Sequence, residues 1–225
     1  MENENKSLPE ISSYDFGVID LIKEGWAGME GSKLQLFIAF VIYALVAIVL
    51  NMLFSLIFPQ GTTENPNYLN QQIVGILSYP VLMPIMVGTM MMALNHGRGE
   101  AIEWKSIFNY YHLTGKLALA GILVYILTLI GMVLLILPGI YLSVAYMFTL
   151  PLIVDKNMDV WDAMEYSRKK VTQHWFKVFA LMLLFVLIMI LGAIPFGIGL
   201  FWAVPLMFVT MYGLLYPIIF DGKEA

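Results

Sequence analysis

All 12 Lys and Arg residues fall on alternate connections between long uncharged apolar runs, a pattern that fits a lipid bilayer as the solvent for most of the chain. Lys6, Lys23 and Lys33 precede the first run, and Arg98, Lys105 and Lys116 lie between the second and third. Lys156, Arg168, Lys169, Lys170 and Lys177 lie between the fourth and fifth, and Lys223 follows the sixth. The three intervening connections carry none. Short loops rich in Lys and Arg stay cytoplasmic, so both chain ends and the long connections are expected inside. Of the 225 residues, 60% are hydrophobic and 12% charged, about half the charged share of a soluble domain.

The first run is Leu34 to Phe58, with Asn51 the one strongly polar residue of its interior; the second is Ile73 to Leu94. The block Leu117 to Val154 is too long for one helix, which would reach about 57 Å at 1.5 Å per residue. Pro138-Gly139 divides it into Leu117–Leu137 and Ile140–Val154, because proline blocks the helix and glycine permits reversal. Val178 to Phe220 divides likewise at Pro195-Phe196-Gly197. The expected fold is therefore an all-α integral membrane protein with six transmembrane helices in three hairpins, about 34–94, 117–154 and 178–220. Residues 1–33 form a cytoplasmic segment with an amphipathic helix, and 34–225 the membrane domain. No cleavable signal peptide is expected in the polar opening residues.

The second and third hairpins repeat. At an offset of 61, Ser106 matches Ser167, Lys116 matches Lys177 and Gly131 matches Gly192, while LPLIVD at 150–155 matches YPIIFD at 216–221. The odd helices lack proline. The even ones contain Pro80 and Pro84, Pro151, or Pro205 and Pro217. Even helices are expected to be kinked and inside, odd helices toward lipid. Pro80, Pro84, Pro138, Gly139, Pro151, Pro195, Gly197, Pro205 and Pro217 are the candidate helix-break and cavity positions, and the carbonyls freed by the prolines inside the even helices serve packing, or else line a cavity.

Each hairpin is preceded by an apolar stripe at helical spacing: Ile19, Ile22, Trp26 and Met29; Trp104, Ile107, Phe108 and Tyr111; Val160, Trp161, Met164, Val171 and Trp175. Helices lying at the interface are expected there, with lipid headgroups meeting Trp26, Lys33, Trp104, Lys116, Trp161, Arg168, Lys169, Lys170, Trp175 and Lys177.

Function is bounded mainly by what the spans lack. None contains Asp, Glu, Lys, Arg or His, which weighs against proton-coupled transport, a voltage sensor or an intramembrane metalloprotease. Thr128, Ser143, Thr149 and Thr210 have no base at span depth, and such hydroxyls ordinarily bond back to helix carbonyls. His96, His112 and His174 lie in connections without ligand-spaced carboxylates, so no metal, cofactor or catalytic residue is expected. Asp155 and Asp221 close equivalent spans, Asp155 capping the next turn or pairing with Lys156. Zero cysteines exclude disulfides, and no basic stripe indicates nucleic acid.

The stretch LPGIYLSVAYMFTLPLIVD followed by DAMEYSRKKVTQHWFK resembles the bacterial polytopic proteins related to the membrane domain of glycerophosphodiester phosphodiesterases. The likeness rests on Pro138, Gly139, Asp155, Ala163, Ser167 and Trp175 and covers roughly residues 100–220. It implies a fold and an inner-membrane location; with no phosphodiesterase domain, that activity does not carry over. The expectation is a non-enzymatic inner-membrane protein acting through lipid, a protein partner or a second copy of itself. The alternative is a permease or channel for a small neutral or amphiphilic solute.

Overall fold

The computed structural model describes residues 13–223, so Lys6 lies outside it. Among the described residues there are helices, turns and one isolated β-bridge, Gly61 to Pro66. Six stretches are long and apolar enough to cross a membrane: Lys33–Ile57, Tyr68–Gly97, Trp104–Leu134, Ile136–Asp155, Trp175–Ala193 and Leu200–Phe220. The fold is that of an all-α integral membrane protein.

The short helix α1 (Val18–Gly28) precedes the first span, α2 (Lys33–Ile57), and the second span is the single helix α3 (Tyr68–Gly97). Two 3-10 turns, Trp104–Phe108 and Tyr111–Leu113, lead into α4 (Thr114–Leu134). The fourth span is broken into α5 (Ile136–Ala145) and α6 (Thr149–Asp155). Next come α7 (Val160–Thr172) and the fifth span, α8 (Trp175–Ala193). The sixth span runs through α9 (Leu200–Phe208), a π-helical stretch (Val209–Leu215) and α10 (Tyr216–Phe220).

Proline sets these breaks through the residue four positions earlier, whose carbonyl its ring meets. For Pro138 that residue is Leu134, and α4 ends there; Leu135 is extended and α5 has already begun at Ile136. The reversal is thus earlier than the expected Leu137, and Pro138 and Gly139 lie in the first turn of α5. Pro151 sits in the first turn of α6 in the same way, after the break at 146–148. At the third hairpin, α8 ends at Ala193, and Phe196 and Gly197 take positive φ to reverse the chain. Both hairpins then close on glycine pairs. A Cβ on Gly131 would lie 3.0 Å from the Gly139 Cα, and one on Gly199 would lie 2.5 Å from the Gly192 Cα.

Burial separates the spans as proline content does. Buried residues fill 50, 44 and 89% of the apolar windows of the even spans, against 11, 17 and 17% in the odd ones. The proline-bearing helices form the centre, and odd helices present rows such as Leu45, Ile48 and Met52 outward. Two even helices meet backbone to backbone. A Cβ on Gly97 would lie 1.8 Å from the Gly213 carbonyl oxygen, the acceptor to which Pro217 cannot donate.

The segments between hairpins do not lie apart on the surface. Trp104–Phe108 packs along α3, where a Cβ on Gly88 would lie 2.4 Å from the Ile107 carbonyl oxygen. The Tyr111 hydroxyl donates to the Val81 carbonyl of α3 at 2.9 Å. Helix α7 packs against α4, α5 and α6, and its Ser167 hydroxyl donates to the Ala145 carbonyl at 2.8 Å, where the fourth span breaks. Helix α1 packs on the last hairpin, Gly25 against Thr210 and Leu206. Each segment therefore rests on the hairpin before its own, and the first rests on the third.

Candidate functional site

Three even helices end in one ion-pair cluster, which includes the expected pairing of Asp155 with Lys156 but is centred on Arg98, a residue the sequence did not single out. Arg98 follows the last residue of α3, Asp155 ends α6 and Asp221 follows α10. The Arg98 guanidinium grips Asp155 with both terminal nitrogens, Nη2 to Oδ2 at 2.9 Å, and also donates to Asp221 Oδ2 at 2.8 Å. Lys156 pairs with both carboxylates. The Tyr216 hydroxyl donates to Asp155 Oδ2 at 2.9 Å, and Lys223 Nζ to the Gly97 carbonyl at 2.8 Å. The Asp155 side chain is 7% exposed, so its charge depends on these donors. Hydrogen bonding to Asp155 holds the Arg98 guanidinium above its already high ordinary value, so it stays charged. The cluster neutralises itself and presents no free base or nucleophile; chemically it is a clamp.

A second set of residues forms a cleft where α1 meets α2 beside the start of α9. Its volume is ≈ 530 Å³, and Trp26, Glu30, Lys33 and Trp202 line it. The Lys33 ammonium stands 5.4 Å from the Phe201 ring centre and 5.6 Å from that of Trp202. Trp26 is exposed and Trp202 partly so. A cation with aromatic rings and a neighbouring carboxylate suits a zwitterionic or anionic headgroup with its upper acyl carbons.

The remaining interface residues separate into exposed and engaged. Trp161 is exposed. Trp175, expected at the headgroups, instead donates from Nε1 to the Tyr141 carbonyl at 3.2 Å and stacks on Phe179. Lys116 pairs with Asp159 at 3.3 Å, Lys177 pairs with Asp15, and the Trp104 backbone N–H donates to Gln35. Arg168 and Lys169 both hold Glu165, at 2.8 and 3.2 Å. The hydrogen bond from Arg168 keeps the Glu165 carboxyl below the ordinary glutamate value. Lys170 is 1% exposed, which overturns its expected headgroup role. The reason is geometric: α7 turns Ala163, Met164, Ser167, Lys170 and Val171 toward the protein, so its apolar stripe found helices instead of lipid.

Ser143 does bond back to a helix carbonyl, Ile140 at 2.8 Å. The expectation fails for Thr128, Thr149 and Thr210, whose buried hydroxyls have no partner among the described residues. His96 contacts the Gly28 carbonyl at 2.6 Å, His112 the Asn109 carbonyl at 2.9 Å, and His174 the Tyr14 ring. None of the interior prolines Pro80, Pro84, Pro151, Pro205 and Pro217 lines the cleft at Lys33 or the cleft between α2 and α3. Pro84, Pro151, Pro205 and Pro217 are buried in helix packing, while Pro80, Pro138 and Pro195 are exposed.

Comparison with protein-family models, with curated proteins and with solved structures finds no match to this chain.

Proposed function

We propose that this is a non-enzymatic protein of the bacterial cytoplasmic membrane, with both ends inside, that acts by contact with membrane lipid. The observation that carries this reading is the cleft in which Trp26, Lys33 and Trp202 converge, since it joins a cation to amphipathic rings. The closed clamp at Arg98 supports it by leaving the nearby titratable groups engaged with one another. The resemblance of residues 100–220 to a phosphodiesterase membrane domain suggests the same membrane. We read the three hairpins as an internal repeat, supported by the matched glycine closures and the common docking rule of the intervening segments.

Variants retaining a single tryptophan test lipid contact in nanodiscs. Fluorescence from Trp26 and Trp202 is expected to be quenched by brominated phospholipid, and less so after Lys33→Ala when the lipid is anionic. Quenching by aqueous acrylamide alone would leave a protein partner as the occupant of that face. Sidedness is tested in intact cells: a cysteine replacing Lys169 should resist impermeant maleimide, and one replacing Thr63 should react.

A permease for a neutral or amphiphilic solute remains the competing reading, favoured by the polar cleft between α2 and α3. Flux of such a solute in proteoliposomes would establish it.

A further inference from the structure

The α2–α3 hairpin encloses a cleft of ≈ 390 Å³, within the usual range for small-molecule sites. None of its lining residues is charged. Toward the connecting loop the lining is amide-rich, with Asn51, Gln60 and Gln71; at the other end it is Leu82, Met83 and Met86. Tyr43, Ala47 and Asn51 recur every four residues on one face of α2, so this is a continuous wall. Gly75 faces it from α3 and leaves it open, since a Cβ there would meet nothing within 4 Å.

Several polar groups in this wall lack protein partners. Gln60 Nε2 is buried without a hydrogen-bond partner. Neither the Asn51 amide nor the Tyr43 hydroxyl, both inside a membrane span, makes a hydrogen bond to the described residues. By contrast the Ser78 hydroxyl is satisfied by the Val74 carbonyl at 2.8 Å. Unpaired amides and hydroxyls among hydrocarbon are costly, and a ligand that supplies donors and acceptors relieves that cost.

We infer that the α2–α3 cleft binds an amphiphile with an uncharged, hydroxyl- or amide-bearing head, its head at Asn51 and Gln60 and its chain along Met83 and Met86. A charged head would find no counter-charge there, whereas the cleft beside Lys33 offers one. The two sites thus take different lipid classes, and this one stands whether or not the Lys33 cleft binds lipid.

The full chain in phosphatidylcholine nanodiscs, doped with photoreactive diacylglycerol or with photoreactive phosphatidic acid of identical chains, provides the test. Diacylglycerol should crosslink to peptides lining the cleft at Asn51 and Gly75, with phosphatidic acid at the level of the lipid-facing surface of α4. Gly75→Phe fills open space, so the fold is retained, and cleft labelling should be lost because the ring occupies the volume the amphiphile needs. Asn51→Leu should reduce the preference for diacylglycerol with no bulk added. Equal labelling by both probes, or labelling indifferent to Gly75→Phe, would mean a water-filled cleft bordered by ordinary lipid, and the inference falls.

Discussion

Arg98 reaches partners 57 and 123 residues away, a separation at which no local pattern operates. Asp155 and Asp221 were legible as equivalent span ends, yet Arg98 stood only among loop bases, because charge counting fixes a side of the membrane and not a partner. Arg98→Ala leaves Lys156 alone against two largely buried carboxylates and should cost about 2–4 kcal/mol, seen as a lower melting temperature in detergent. Arg98→Lys should recover little of this, since an ammonium cannot grip two carboxylates in a planar fork. The double variant Arg98→Ala with Asp155→Asn should be less damaging than the sum of the two single changes. A milder pH effect belongs to Glu165, whose carboxyl is held low by Arg168. Its pairing stabilises fully above the ordinary glutamate value and is lost as the pH falls through the lowered one. For partly exposed pairs the effect is about 0.5 kcal/mol, visible as a smaller acid-induced loss of melting temperature in Glu165→Gln.

At the scale of elements, spans and hairpins were legible because uncharged length and proline act locally. The turn before Pro138 was misplaced by a few residues because the steric conflict falls on Leu134, not on the proline itself. The amphipathic stripes were legible as stripes, but a helix face seeking an apolar neighbour is satisfied equally by lipid and by protein. That ambiguity is why Met164 and Val171 turned inward, and the middle stripe, expected as one helix, is two 3-10 turns. Helix contact makes a sharper prediction. Gly97→Ala must separate α3 from the Gly213 backbone and should destabilise by more than about 2 kcal/mol. Gly75→Ala in the same helix meets nothing and should be neutral or stabilising by up to about 1 kcal/mol. Thermal unfolding of the two variants side by side separates packing from helix propensity.

Across the whole molecule, the intervening segments join the hairpins into a closed cycle. Gln35 at the start of the first span holds the backbone of Trp104, Lys116 near the start of the second hairpin pairs with Asp159, and Lys177 near the start of the third pairs with Asp15. The Tyr14 hydroxyl adds to the last junction by donating to the Lys170 carbonyl at 3.0 Å. The chain contains no cysteine, so Gly25→Cys with Thr210→Cys introduces one pair only, at a site where a Cβ on Gly25 would lie 3.1 Å from that of Thr210. Oxidation should yield a crosslinked monomer with altered gel mobility. Interchain dimers instead would indicate that the first segment docks on a neighbouring copy. Removing residues 1–28 should accelerate hydrogen exchange in 206–216 with little change in 120–130.

This closure has a consequence for biosynthesis. Helix α1 leaves the ribosome before any of the six spans, but the surface that covers Leu21 and Gly25 belongs to the third hairpin. Its apolar face must wait through the insertion of every other span, so chaperones, or the bilayer itself, have a long interval in which to hold it, and truncated nascent chains should expose it.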